Sequence, residues 1–266
     1  MMLLLDLGNS RVKWALADQA LGPWLAHGAK GWDENLVEQL QLAWTTYPPE
    51  LTVVAASVVD GQREALVASV LANRFGQAPH WMRTPAQACG VRNGYAEPQR
   101  LGVDRFLTMV AARAAGHAPC VIAGAGTALT LDALAADGQH LGGLIAPGAP
   151  LMQSALAAAT VHARAAQAGH ILDAACGTAD AVTSGCWHAV AALTERFVQR
   201  MAPLLGGKPT VVLGGGDAEQ LLPLLTLPAQ IMVDGVLRGL AHWSSVKPVA
   251  ASSNASDIAH RRAPDQ

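Results

Sequence analysis

Two apolar runs separated by a short polar turn open the chain. Residues 3–5 are leucines, residues 6–11 read Asp-Leu-Gly-Asn-Ser-Arg, and residues 12–16 return to an apolar pattern broken only by Lys13. That spacing predicts a β-hairpin. About halfway along, residues 124–134 align without a gap on residues 6–16, Gly126 over Gly8 and Thr127 over Asn9, again behind an apolar strand. An echo that opens each half predicts a duplicated unit whose glycine turns face each other across a cleft. A third apolar strand, 210–213, runs into Gly214-Gly215-Gly216 and then a helix. Backbone there could pass close to a flat base or ribose, and a plain strand-to-helix turn is an equal reading of that segment alone.

The remaining pattern alternates. Residues 33–46 carry Leu36, Val37, Leu40 and Trp44 at helical spacing before Pro48-Pro49. Residues 51–59 predict a buried strand, 63–75 a helix with Leu66, Val67, Val70 and Leu71 inward, and 80–82 a short strand. After a polar, irregular stretch a helix starts at Asp104. Strands follow at 120–123, 129–134 and 140–145, then helices at 151–159, at 178–192 with the helical pattern continuing over 193–205, and at 233–243. This is an α/β pattern, divided as two domains, 1–116 and 117–247, with a disordered tail over 248–266.

Composition narrows the function. With 51% hydrophobic residues the chain can bury a large core, and a formal net charge of −2 with 14% charged residues offers no basic footprint, so no nucleic-acid partner is expected. Cys89, Cys120, Cys176 and Cys186 lack Cys-x-x-Cys spacing and read as reduced thiols of a cytoplasmic protein. Asp6 makes the opening apolar run too short for a signal-peptide core. Prolines and glycines within the uncharged stretch 141–161 exclude a membrane span. The nine histidines, His162 among them, show no His-x-x-x-His spacing, and there is no Gly-x-x-x-x-Gly-Lys-Ser/Thr loop.

The candidate chemistry lies in three places. Gly8 lets amide groups approach an anion, Asp6 suits a Mg²⁺ held directly or through water, and Lys13 supplies a positive charge; a plain surface turn is the other reading of this stretch alone. The polar stretch 90–106 ends in Asp104-Arg105, a carboxylate suited to take a hydroxyl proton beside a guanidinium suited to hold a substrate anion. Taken alone, the pair reads better as a helix cap with a solvated arginine.

Asp6-Leu7-Gly8-Asn9-Ser10 with Lys13, Asn93-Gly94-Tyr95, Pro98, Gly102-Val103-Asp104-Arg105, Gly126-Thr127-Ala128 and the run Gly142-Gly143-Leu144-Ile145-Ala146-Pro147-Gly148 together resemble the type III pantothenate kinases, the Bvg accessory factor family. Order and spacing hold from about residue 3 to residue 245. The resemblance implies the acetate and sugar kinase, heat-shock and actin superfold, with two ribonuclease-H-like domains around a nucleotide cleft. It implies phosphorylation of pantothenate by ATP, the first step of coenzyme A biosynthesis. Asp6, Leu7, Gly8, Asn9, Ser10, Arg11, Val12, Lys13 and Thr127 would then bind ATP and its Mg²⁺. Tyr95, Gly102, Val103, Asp104 and Arg105 would bind pantothenate, with Asp104 as general base, and Thr178 would reach substrate across a homodimer interface.

One position departs from the family pattern. An aspartate of the second hairpin commonly binds a monovalent cation, K⁺ or NH4⁺, and Gly124 stands in its place, so that site is not expected here. Other readings are a different small-molecule kinase of the superfold and a non-catalytic transcription accessory factor.

Overall fold

The computed structural model describes residues 1–19, 22–159 and 169–246. The expected tail at 248–266 and His162 lie outside the described residues. Strands β1 (Met2–Leu7), β2 (Arg11–Ala17) and β3 (Ala26–Gly31) form an antiparallel meander, and β4 (Thr52–Ser57) and β5 (His80–Met82) extend it in parallel, in the order β3-β2-β1-β4-β5. Helices α1 (Leu36–Trp44) and α2 (Gly61–Phe75) belong to this half, and a two-stranded ribbon, β6 (Gln87–Ala88) with β7 (Val91–Arg92), precedes α3 (Val103–Ala114).

The second half repeats the plan. β8 (Cys120–Ala125), β9 (Ala128–Leu134), β10 (His140–Pro147), β11 (Thr210–Gly214) and β12 (Gln230–Ile231) assemble in the order β10-β9-β8-β11-β12, with the same antiparallel and parallel pairings. Its helices are α4 (Ala149–Ala159), α5 (Thr178–Met201), α6 (Ala218–Leu221) and α7 (Gly235–Val246). The helical pattern expected from residue 178 on to 205 is present as one helix, which tightens into a 3-10 turn at Ala202–Leu205.

Side-chain alternation along the strands builds three apolar clusters. Leu3, Leu5 and Leu7 point one way, onto Leu36, Leu40, Val67 and Leu71 of α1 and α2. Leu4, Val54 and Ala56 point the other way, into a cluster shared with Cys120, Ile122 and Val212 of the second sheet and with α3 and α7 between them. The outer face of the second sheet buries Val121, Ala123 and Leu213 against Trp187 and Val190 of α5. Because α3 meets a sheet on each side, it is buried nearly all round. A side chain at Gly239 of α7 would collide with the Leu107 carbonyl of α3, so the glycine allows these two helices to touch.

Two expectations change. Leu66 is exposed because the inward stripe of α2 runs through Val67, Val70, Leu71 and Phe75. The gap-free alignment of the two hairpins slips after the turn. Three residues separate β1 from β2 and two separate β8 from β9, so Asp6 pairs with Lys13 while Gly124 pairs with Thr130. The counterpart of Lys13 is Thr130, one position earlier than the alignment gives.

Candidate active site

Cross-strand pairing puts Asp6 and Lys13 side by side on one sheet face at the end of the first hairpin. The second hairpin turn meets the first directly: Ser10 Oγ and Thr127 Oγ1 are 2.6 Å apart. Asn9, Ser10, Arg11 and Thr127 are exposed there, whereas the Leu7 and Val12 side chains are fully buried in the core and do not reach a ligand. The two turns thus face each other, in contact through the Ser10 and Thr127 hydroxyls.

Asp104 enters the same electrostatic neighbourhood from the first turn of α3. Burial pushes the Asp6 carboxyl up to about 7, against the pull of Lys13, and the carboxylates of Asp104 and Asp234 add to the rise. Asp104 is also raised, chiefly by burial, while the backbone N–H and charge of Arg105 oppose it. Its Oδ1 accepts from that N–H at 2.8 Å. Gly102 rather than Asp104 caps α3, so the helix-cap reading does not account for the carboxylate.

Arg105 is not solvated. Its Nε and Nη2 donate to Asp132 Oδ2 and Oδ1 of β9 at 2.9 and 2.6 Å, and Nη1 donates to the Tyr95 hydroxyl at 3.0 Å. His140 Nε2 donates to Asp132 Oδ1 at 2.9 Å, and its ring stacks on Tyr95. Burial opposes both charges of the ion pair. The hydrogen bonds outweigh it, holding the guanidinium above its ordinary pKa and, with His140, the Asp132 carboxyl below. The expected anion clamp is therefore already matched by an internal carboxylate, and the guanidinium orients Tyr95. Val103 turns its side chain into the core.

Thr178 stands elsewhere, at the start of α5. It lines an open apolar groove of about 960 Å³ between α4 and α5 with Pro147, Leu151 and Met152, none of which belongs to the carboxylate cluster. At Gly124, an added Cβ would stand 2.5 Å from Thr130 Oγ1, so the threonine occupies the space beside a position that has no side-chain oxygen of its own. The residues present do not fit a carboxylate-bound monovalent cation.

The sequence reading missed Asp132, His140 and Asp234. Asp132 carried a usable signal, a lone acid in an otherwise apolar strand, which must find a buried partner. Asp234 has a positive φ of 56°, accepts from Trp24 Nε1 at 3.0 Å and lines a pocket with Lys13. Nothing local in the sequence distinguishes it from a turn residue.

A duplicated α/β molecule with the same five-stranded sheet order and a hairpin turn in each half has the architecture of the actin, heat-shock and sugar-kinase superfold. The activator of 2-hydroxyisocaproyl-CoA dehydratase from Clostridium difficile, solved with bound ADPNP, shares the fold at a TM-score of 0.52 and 13% identity, over 95% of this chain and 99% of that one. Residues 2–200 match the family model for type III pantothenate kinase, and the chain belongs to that family. The type III pantothenate kinase of Aromatoleum aromaticum is 40% identical over 241 residues, covering 91% of this chain and 96% of its own. That of Xanthomonas campestris pv. campestris is 43% identical over 250 residues, with the same coverage.

The desolvated Asp6 has a consequence for stability. An ordinary aspartate ionises near 3.8 and this one near 7, so between those values the folded state holds a proton that the unfolded state has lost. Its contribution is full below about pH 4 and is lost as pH rises through about 7. Asp6→Asn, which cannot ionise, is expected to gain thermal midpoint over the wild type progressively across that window in magnesium-free scans. Parallel pH profiles for the two proteins would contradict it.

Proposed function

We propose that this chain transfers the γ-phosphoryl group of ATP to the hydroxyl of pantothenate, giving 4'-phosphopantothenate and ADP, the first step of coenzyme A biosynthesis, with Asp104 as general base. The observation that carries the reading is that Asp6, Lys13 and Asp104 act on one another beside the first turn, which touches the second through Ser10 and Thr127. That arrangement supports catalysis over a non-catalytic accessory role in transcription. The halves 1–116 and 117–247 would act as the two domains, with the phosphates between their turns.

Phosphoryl transfer needs alignment and charge neutralisation more than covalent help from the protein. Lys13 and the backbone N–H groups of residues 9 and 10 supply charge and amide donors on one side, and Thr127 a hydroxyl on the other. Three crowded carboxylates with one lysine leave an excess of negative charge, which fits a Mg²⁺ held by Asp6, directly or through water; the ion would neutralise phosphate charge. Tyr95, fixed by Arg105 and His140, and the backbone of residues 102–103 would set the acceptor beside Asp104. A base with a raised pKa is suited to receive the hydroxyl proton as its oxygen attacks the γ-phosphorus and the bond to ADP breaks. The Tyr95 to Arg105 arrangement supports pantothenate over acceptors of other kinases of the superfold.

A homodimer belongs to the same reading. Ile145 is 64% exposed and Leu144 and Leu151 are each more than 40% exposed, close to or within the apolar groove that holds Thr178. A second copy covering this face would remove them from water and bring its own Thr178 near the substrate site. A cytoplasmic location is consistent with four cysteines that form no disulfide.

Three measurements check these points. ADP release by the purified protein with Mg-ATP should require pantothenate, and Asp104→Asn should lower turnover by about a hundredfold or more with the fold intact; release without pantothenate, or near-normal turnover in the variant, would break the assignment. Because Gly124 offers no ligand, activity should be largely retained in buffer free of K⁺ and NH4⁺, and strict dependence on either ion would defeat that proposal. Sedimentation should give twice the monomer mass for the wild type and a monomer for Ile145→Glu, whereas a wild-type monomer at micromolar concentration would exclude the dimer.

A further inference from the structure

The back of the first turn is held from outside it. Three consecutive carbonyls each face a donor: Val58 N–H donates to Leu7 O at 3.1 Å, Trp32 Nε1 to Gly8 O at 2.7 Å, and Arg63 Nη1 reaches Asn9 O at 3.5 Å. The turn closes on itself through Gly8 N–H to Arg11 O at 3.0 Å. In a planar trans peptide the carbonyl and the N–H that follows it point in opposite directions. Holding the Gly8 and Asn9 carbonyls toward Trp32 and Arg63 therefore turns the N–H groups of Asn9 and Ser10 the other way. Two successive amides aimed together form a concavity that takes an anion.

Both outside donors are themselves placed. Trp32 directly follows β3, whose last residue Gly31 pairs with Arg11 at the edge of the turn, and its ring packs on the apolar cluster of the first half. The Arg63 guanidinium lies over that ring, 5.0 Å from its centre. Arg63 sits in the first turn of α2, where Asp60 Oδ1 accepts from the N–H groups of Gln62 and Arg63 at 3.0 Å and the Asp60 carboxylate lies 3.8 Å from Arg63 Nε. A cap, a cation and an indole thus form one continuous support behind the turn.

We propose that Trp32 and Arg63 are positioning residues that fix the Asn9 and Ser10 amides for the triphosphate of ATP, an inference that rests on the cleft being the ATP site. Trp32→Phe keeps a ring and removes the donor, and Arg63→Met keeps an apolar stem over the indole and removes the charge. Steady-state rates with ATP and pantothenate varied in turn, and calorimetric titration with a non-hydrolysable Mg-ATP analogue, separate positioning from stability. Loss of one such bond is expected to raise KM for ATP and Kd for the analogue together, about fivefold in Trp32→Phe and about twofold in Arg63→Met. In both, kcat and KM for pantothenate stay within about twofold of the wild type. An unchanged KM for ATP in both variants, with the wild type binding the analogue, overturns the proposal and leaves the ATP site standing. So does a fall in kcat with a rise in both KM values and a lowered thermal midpoint, the pattern of a merely structural residue. A wild type that binds no nucleotide overturns the ATP-site reading and this proposal with it.

Discussion

A buried guanidinium has to be paired, and the pairing of Arg105 with Asp132 orders much of the proposed acceptor side of the cleft. The two residues come from different halves, Arg105 from α3 and Asp132 from β9, and each is almost wholly removed from water. Removing either partner would strand a charge at a cost of about 3–5 kcal/mol. Because the carboxylate takes two of the guanidinium nitrogens, the third is left to hold the Tyr95 hydroxyl, and His140 closes the set by bonding the same carboxylate and stacking on the tyrosine. Asp104, one residue before Arg105, is thereby held on a helix end that cannot rotate without breaking the pair.

The two hairpins began from one plan and carry different chemistry. In the first, the cross-strand pair is Asp6 and Lys13, charged and crowded by Asp104 and Asp234. In the second, the same place holds Gly124 and Thr130, which are neutral and packed against each other. The duplication therefore supplies a symmetric cradle with charge concentrated on one wall. That asymmetry suits a triphosphate whose reacting end lies toward the first half. The neutral pair offers no carboxylate to a monovalent cation at that place in the second hairpin.

The features legible in the sequence are those that repeat locally. The strand hairpins announce themselves by apolar runs on either side of glycine turns, and α1, α2 and α4 by apolar or alanine-rich stretches. β3 escaped because Ala26-His27-Gly28-Ala29-Lys30-Gly31 has no bulky apolar residue; it is a strand because β2 offers a partner and because Gly28 leaves room for the Trp14 ring above it. Leu66 was misplaced because helical spacing admits two adjacent stripes, and only the packing partner selects one. Asp6, Lys13, Asp104 and Thr127 could be singled out from glycine turns and order along the chain. Asp132 showed only as a lone acid in an apolar strand, which calls for a partner without naming it, and His140 and Asp234 did not show at all, since the partners of the three lie 8 to 210 positions away.

The central claim is geometric: ATP lies between the two turns and the acceptor hydroxyl meets Asp104. The most direct test is a crystal structure of the protein with pantothenate and a non-hydrolysable Mg-ATP analogue. The account predicts a carboxylate oxygen of Asp104 within about 3.2 Å of the pantothenate hydroxyl, with that hydroxyl facing the γ-phosphorus. Phosphates bound away from the Gly8 and Gly126 turns, or a hydroxyl facing away from Asp104, would contradict it.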